Sequence, residues 1–157
     1  MRDVSVKGCR NSGLFVNSGA SVKATQCEFS ENGSGVLVTG GSKGIFTDCT
    51  IHHNGMFGVV AFEEGTLVEH RGEQTEIHHN GRFGLVANSN TTINIYIPSR
   101  SITALVHDHG ERHLHTFDGG KIQSQLSSSS LELTVIQEAP PNDDDDSDDG
   151  DDSEEDN

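Results

Sequence analysis

A stretch of twelve residues, 27–38 (CEFSENGSGVLV), returns twice further along the chain. The second copy is 49–61 (CTIHHNGMFGVVA), the third is 75–87 (TEIHHNGRFGLVA), and a shortened copy at 11–16 (NSGLFV) precedes all three. The asparagine of the copies recurs at steps of 21, 22 and 26 residues. A repeat of about 22 residues with small insertions is typical of a solenoid, so this self-similarity decides the fold.

Within each copy the apolar residues recur with a period of two, which predicts strands and not helices. A short strand of the form Cys/Thr-x-Phe/Ile is followed by a turn at Asn-Gly and by a second strand of Gly and three apolar residues. Leucine-rich repeats need a leucine framework that is absent, and helical repeats need about 33 residues or more. Short strands repeated in register stack as parallel sheets, with neighbouring strands about 4.8 Å apart.

Strand alternation determines which side chains fill the interior of the stack. The inward positions of the first strand are small and then bulky: Cys27, Cys49 and Thr75, followed by Phe29, Ile51 and Ile77. The inward positions of the second strand are apolar: Leu14, Val36, Val59 and Leu85, with Val16, Val38, Ala61 and Ala87. We therefore interpret Cys27 and Cys49 as small core residues of a structural ladder, since burial makes a thiol unreactive.

The asparagines of the three full copies, Asn32, Asn54 and Asn80, occupy corresponding turns. We predict that they form an amide ladder, in which each side chain bonds the coils above and below it. We also expect them to adopt the left-handed backbone that the bend requires, because asparagine tolerates it.

The N-G-x-(x)-G-apolar-x-apolar pattern at these asparagines, preceded by an inward Phe or Ile, resembles the right-handed parallel β-helix repeat family, which has the pectate-lyase-like architecture. The resemblance covers residues 9–87 and extends to about residue 117. It implies an all-β, right-handed parallel β-helix solenoid of about four to five coils. This architecture serves polysaccharide lyases, glycoside hydrolases, uronan epimerases, phage adhesins and repeats of some F-box proteins, so it implies no single function.

Charge is concentrated at the C-terminus of the 157-residue chain. The formal net charge is -15, but residues 139–157 hold eleven of the 25 acidic residues and no base. Residues 1–138 therefore carry 14 acids and 10 bases, a net charge of -4. We predict β-helix repeats over 1–118, C-terminal strands over 119–138 that either cap the open end or lie along the side, and a disordered acidic tail over 139–157. Alternating segments predict further strands at 93–97, 101–107, 121–125 and 131–137.

Composition argues against several classes of partner. No basic cluster is present, so nucleic acid is not expected as a ligand. No apolar run approaches the roughly 18 to 20 residues of a membrane span, and the N-terminus lacks the apolar block of a signal peptide. We therefore expect no membrane partner and an intracellular location. Three cysteines without a CxxC pair do not predict a disulfide framework.

The outward positions of the second strand form an apolar stripe: Phe15, Leu37, Val60 and Val86. A solvated face would more often be polar at these positions. Two explanations stay open. The stripe either supports the strands beneath a C-terminal cover, or it is a binding surface for a partner or for self-association.

Histidines are the second outward feature, and six of them are candidate metal ligands: His52, His53, His78, His79, His107 and His109. The first four occupy the same repeat position, and the last two share one face of an extended strand. They are either polar residues beside a turn or a patch that binds Zn²⁺ or Ni²⁺. No Cys or tightly spaced carboxylate completes a structural zinc site, so we predict no cofactor.

No catalytic residue emerges from the sequence. The outward carboxylates of the first strand do not fall on neighbouring coils, since Thr50 separates Glu28 from Glu76. We predict a noncatalytic binding or scaffold module for protein or polysaccharide ligands. The alternative is a carbohydrate-active protein, similar to a polysaccharide lyase, hydrolase or epimerase, or a degenerate fragment of one.

The acidic tail either keeps the protein soluble and suppresses edge aggregation, or binds a basic protein through its charge. Because residues 1–138 are nearly balanced in charge, such binding should be lost when the chain ends at Glu138. Calorimetric titration of both chains with a basic peptide measures this. Equal binding by the shortened chain would assign the interaction to the folded body.

Overall fold

The computed structural model describes residues 1–97, 99–125 and 134–135. The predicted acidic tail at 139–157 lies outside these residues, and of the strand predicted at 131–137 only 134–135 are described. Within the described part, the chain winds through three parallel sheets, and each coil adds one strand to each sheet. The fold is an all-β, right-handed parallel β-helix of about four turns, as predicted.

The first sheet holds strands of two or three residues: β1 (Ser5–Lys7), β4 (Glu28–Ser30), β7 (Thr50–His52), β10 (Glu76–His78) and β13 (Val106–His107). The second sheet holds β2 (Ser12–Val16), β5 (Ser34–Val38), β8 (Phe57–Ala61), β11 (Phe83–Asn88) and β14 (Arg112–Phe117). The third sheet holds β3 (Ser21–Thr25), β6 (Lys43–Thr47), β9 (Leu67–Arg71), β12 (Thr92–Tyr96), β15 (Lys121–Gln125) and β16 (Thr134–Val135). Only β16 pairs in the antiparallel sense, along β15.

The interior is filled by the side chains that alternation points inward. The first-sheet positions Cys27, Cys49, Thr75, Phe29, Ile51 and Ile77 are all buried. The second-sheet positions are buried from the second coil onward, and Leu14 in the first coil is partly buried. Burial raises the pKa of the Cys49 thiol to about 11, which keeps it protonated and unreactive. The predicted inward phase is confirmed.

The third strand of each coil was not predicted for the first three coils. Its inward positions do not repeat one residue type: Ala24, Phe46, His70 and Ile95 are in register in one ladder. All four are buried, so the ladder is continuous in space although it is irregular in sequence. The strand predicted at 93–97 is confirmed as β12.

The asparagines of the repeat join successive coils through buried hydrogen bonds. The Asn54 carboxamide oxygen accepts the backbone N–H of Asn32 at 3.0 Å, and its Nδ2 donates to the carbonyl of Phe29 at 3.1 Å. Asn80 repeats this pattern one coil further, with the N–H of Asn54 and the carbonyl of Ile51. These bonds satisfy backbone groups at a bend, where the sheets cannot pair them.

Glycine is required beside each amide. A Cβ added at Gly58 would lie 2.5 Å from the Gly84 carbonyl oxygen and 2.9 Å from Asn80 Nδ2. Those distances are shorter than van der Waals contact. The second glycine of the Asn-Gly-x-(x)-Gly pattern therefore leaves room for the asparagine side chain of the next coil.

In the first coil, the Cys9 backbone N–H takes the corresponding place and donates to Asn32 Oδ1 at 2.9 Å. One detail of the predicted ladder is wrong, because the asparagines are not the left-handed residues of the bend. That conformation falls one position earlier, at Glu31, His53 and His79 with φ of 56°, 52° and 50°. In each coil, the left-handed residue comes one position before the asparagine whose side chain bonds the preceding coil.

The predicted strand at 101–107 is also wrong in its first half. The chain forms a single helical turn, α1 (Ile102–Leu105), before β13. The Ser101 hydroxyl accepts the N–H of Ala104 at 3.3 Å, and Arg100 donates to the Ala104 carbonyl at 2.7 Å. Local capping therefore overrides the apolar alternation of this segment.

Replacing Asn54 with Ala should lower the free energy of unfolding by about 1 to 3 kcal/mol, since two buried backbone groups of the preceding coil, at Asn32 and Phe29, lose their partners. Chemical denaturation followed by circular dichroism measures this change. Asn11→Ala is the matched control and should change stability by less than about 0.5 kcal/mol, because Asn11 is exposed. Equal effects of the two substitutions would contradict the ladder geometry.

His70 is an ionisable residue in the core. It is fully buried, its ring stacks on Phe46 at 5.4 Å, and neither ring nitrogen has a hydrogen-bond partner among the described residues. Burial lowers its pKa to about 4. The ring is therefore neutral in the folded protein at pH 7.

Replacing His70 with Phe should stabilise the protein at pH 7 by about 1 to 3 kcal/mol, because two unpaired nitrogens leave the core. The unfolded chain takes up a proton near pH 6.5 and the folded chain only near pH 4, so His70 costs stability as pH falls through this window. Between pH 6.5 and pH 4, the free energy of unfolding should therefore fall less steeply in the variant than in the native protein, by up to about 1.4 kcal/mol per pH unit. Urea midpoints at pH 7 and pH 5 measure this, and an unchanged pH dependence would contradict it.

Candidate functional site

The predicted apolar stripe lies on the outer face of the second sheet. Phe15, Leu37, Val60 and Val86 are in register on consecutive strands, and His115 occupies the next rung. Exposure falls along this ladder, from 57% at Phe15 to 5% at Val86. The far end of the stripe is therefore covered by neighbouring side chains, whereas its near end is open.

Aromatic residues cover that far end. The Phe57 and Phe83 rings stack with centroids 5.8 Å apart, and Phe83 stacks on His115 at 4.6 Å. The Arg82 guanidinium lies 5.3 Å from the centroid of Phe83 and is bonded to Glu111. This cation over a ring face stabilises the row, as such pairs generally do.

These side chains enclose a groove of about 270 Å³. We call it the aromatic groove and define it by its lining residues: Phe57, Val60, Phe62, Phe83, Val86, Asn88, His115 and Phe117. Only Asn88 and His115 bring polar atoms to it. The groove is open at the surface and has room for one or two apolar side chains.

The outer side of the first sheet carries a histidine ladder, which we define as His52, His53, His78, His79 and His107. The rings of His52, His78 and His107 stack in a row, with centroid separations of 5.0 and 5.5 Å. The rings of His53 and His79 stack beside them at 5.0 Å. The structure thus brings together five of the six histidines that the sequence proposed as metal ligands.

The sixth, His109, lies in the asparagine ladder. Its Nδ1 accepts the backbone N–H of Asn80 at 3.1 Å, so it takes the place of an asparagine in the last coil. Burial, together with the charge of His113, lowers the pKa of His109 to about 4. His109 is therefore a structural residue of the bend, and its ring packs edge-on against that of His113 at 5.6 Å.

Left-handed backbone at His53 and His79 places each ring beside that of the preceding histidine. As a result, the Nδ1 atoms of His52 and His53 are 2.7 Å apart, and those of His78 and His79 are 2.8 Å apart. Burial, followed by the charge of His52, lowers the pKa of His78. Among the described residues, no group of three or more His, Cys, Asp or Glu side chains is arranged to hold a metal ion.

Two carboxylates of the folded body, Glu28 and Glu69, are engaged in ion pairs. Lys7 lies 2.8 Å from Glu28 and holds the pKa of this carboxyl at about 2. Glu69 is buried, which favours its neutral form, but hydrogen bonds from Lys43 and Arg71 outweigh burial and lower its pKa. A general acid at neutral pH needs a raised pKa, so neither group suits that role.

A family model described as a right-handed β-helix region matches residues 1–97. The chain belongs to the right-handed β-helix family. No curated protein and no solved structure matches it. Parallel strands of this β-helix continue past the matched region, through β14 and β15. None of its described helices has the length and apolar character to cross a membrane.

Sequence reasoning missed the aromatic half of the groove, although the sequence carries a signal for it. In the structure, His78 is in register with His107, which aligns residues 77–81 (IHHNG) with 106–110 (VHDHG). A fifth degenerate copy is therefore present, with His109 in place of the asparagine. Recognising it would have placed His115 on the same outward ladder as Val86.

Proposed function

We propose that this β-helix is a noncatalytic binding module whose binding surface is the aromatic groove together with the apolar stripe. The observation that carries the proposal is the continuity of apolar surface across all five strands of the second sheet. The groove lies over β8, β11 and β14, and Val60 and Leu37 connect it to the exposed Phe15. Five strands span roughly 19 Å, which is enough for several side chains of a partner.

The groove favours a protein ligand over a polysaccharide. Sugars bind by lying on the faces of aromatic rings and by multiple hydrogen bonds to their hydroxyls. Here the interplanar angles of Phe57–Phe83 and Phe83–His115 are 13° and 5°, so the rings cover each other's faces. Buried hydroxyls would meet few polar partners in this groove, which penalises a sugar. An apolar side chain of a protein meets neither difficulty.

The carboxylates support a noncatalytic role. Glu28 and Glu76 flank Thr50 on the outward side of the first sheet, the arrangement closest to a carboxylate pair on that face. Glu28 is paired with Lys7, and the Arg100 guanidinium lies 3.6 Å from Glu76. Glycoside hydrolysis needs one carboxyl that stays protonated, and cationic neighbours oppose this.

The surface is tested by an apolar fluorescent dye, anilinonaphthalene sulfonate, added to the folded full-length chain. Replacing both Leu37 and Val60 with Gln should reduce dye fluorescence several-fold, because the apolar surface is interrupted between the groove and Phe15. Ile45→Gln is the matched control, since Ile45 is a partly buried apolar residue on the third sheet of the same coil, and it should leave the signal unchanged.

Two results would contradict the proposal. Equal dye fluorescence for the native chain and the double variant, with unchanged circular dichroism, would show that the stripe is not a binding surface. Binding of the native chain to acidic glycans on an array, retained by the double variant, would favour the carbohydrate-active alternative.

A further inference from the structure

The histidine ladder contains pairs of ring nitrogens at unusually close approach. The two Nδ1 atoms in each pair, His52 with His53 and His78 with His79, are separated by 2.7 and 2.8 Å. At such a distance one neutral imidazole must donate a proton to the lone pair of the other. In each pair, therefore, one Nδ1 atom carries a lone pair that accepts the proton of the other. This lone pair is available to a metal ion once the proton moves away.

Glu28 determines which nitrogen of His52 is bare. The His52 Nε2 lies 3.0 Å from Glu28 Oε1, and the same oxygen forms an ion pair with the Lys7 ammonium at 2.8 Å. A carboxylate only accepts, so Nε2 carries the proton and Nδ1 carries the lone pair. Histidines that bind metals generally donate their other N–H to a carboxylate or carbonyl in this way.

The separation of the two Nδ1 atoms in each pair matches coordination at a right angle better than tetrahedral coordination. With metal–nitrogen bonds of about 2.0 to 2.1 Å, two ligand nitrogens are about 2.9 Å apart at a right angle and about 3.3 Å apart at the tetrahedral angle. The observed separations of 2.7 and 2.8 Å are close to the first value, and the two rings turn so that both lone pairs meet at the ion, off the line that now joins the nitrogens. Right angles are typical of Cu²⁺ and Ni²⁺ with nitrogen ligands, whereas Zn²⁺ prefers tetrahedral sites.

We propose that His52 and His53 chelate one Cu²⁺ ion through their Nδ1 atoms, and that His78 and His79 form a second, weaker site one coil away, where no described carboxylate bonds a ring nitrogen as Glu28 does. Ni²⁺ binds the same nitrogens more weakly, following the general order of affinities. Water completes the coordination of each ion. His53 is exposed, so its proton moves from Nδ1 to the solvent-facing Nε2 when copper binds, with no net proton release.

The stacking of the rings predicts how the two sites interact. Rings of successive coils are nearly parallel, at 4° for His52–His78 and 1° for His53–His79, and their centroids are 5.0 Å apart. Two bound ions therefore lie about one coil spacing apart, roughly 5 Å. Their repulsion makes the second ion bind more weakly than the first. His107 forms no third pair of this kind, because Asp108 takes the place of the second histidine and bonds the His107 Nδ1 at 2.7 Å.

Copper titration of the full chain, followed by electron paramagnetic resonance, tests this site. One equivalent of Cu²⁺ should give a tetragonal spectrum with hyperfine splitting from two nitrogens. A second equivalent should give dipolar broadening, because the two ions are close. Millimolar Ca²⁺ should not displace the copper, whereas it would displace copper held by the carboxylates of residues 139–157.

Variants assign the signal to named residues. His53→Asn, which tolerates the left-handed backbone, should weaken the first site by roughly ten-fold or more, because the chelate is lost. Glu28→Gln should weaken it by about 10- to 100-fold without removing a ligand. His115→Asn is the matched control and should leave the affinity unchanged, since His115 lies on the second sheet.

Oxygen-only coordination in the native spectrum would overturn the proposal. So would an equal loss of affinity in the His53 and His115 variants, with circular dichroism showing that both are folded. Neither result bears on the aromatic groove, because the two surfaces lie on different sheets of the β-helix.

Discussion

The structure depends on the requirement that every coil bends at the same place. Buried asparagines meet this requirement, because each amide bonds backbone groups at the bend of the coil before it. An unpaired backbone group at these buried bends would cost more than one hydrogen bond contributes, so the ladder keeps the coils in register. Register in turn places equivalent side chains of successive coils directly on top of one another.

Such stacking explains why both outer features are rows of like residues. Inside, it gives uniform ladders of Cys and Thr or of Phe and Ile. On the outside, stacking places the same residue type on successive coils, so that the His-His pair of the repeat forms a ladder of rings 5.0 Å apart. An outward apolar position likewise becomes a stripe, which aromatic residues of the later coils convert into a groove.

The two surfaces are physically independent and support different kinds of ligand. The second sheet is apolar and poor in hydrogen-bonding groups, which suits apolar side chains. The first sheet presents ring nitrogens beside an ionised carboxylate, which suits a cation. Three carboxylates near these surfaces, Glu28, Glu76 and Glu111, are held in ion pairs with Lys or Arg, an arrangement that favours their charged form over proton transfer.

Repetition let the sequence determine the parallel β-helix, the inward phase and the rows at Leu37 and His52, because side-chain alternation and a fixed period are local properties. Only the tertiary structure decided the rest. It showed that the Cys9 backbone N–H begins the asparagine ladder. It also added a third strand whose inward residues, such as Phe46 and His70, pack together although they follow no sequence motif. It also placed His115 beside Val86 in the second sheet. The register of successive strands depends on the lengths of the bends between them, which no local pattern specifies.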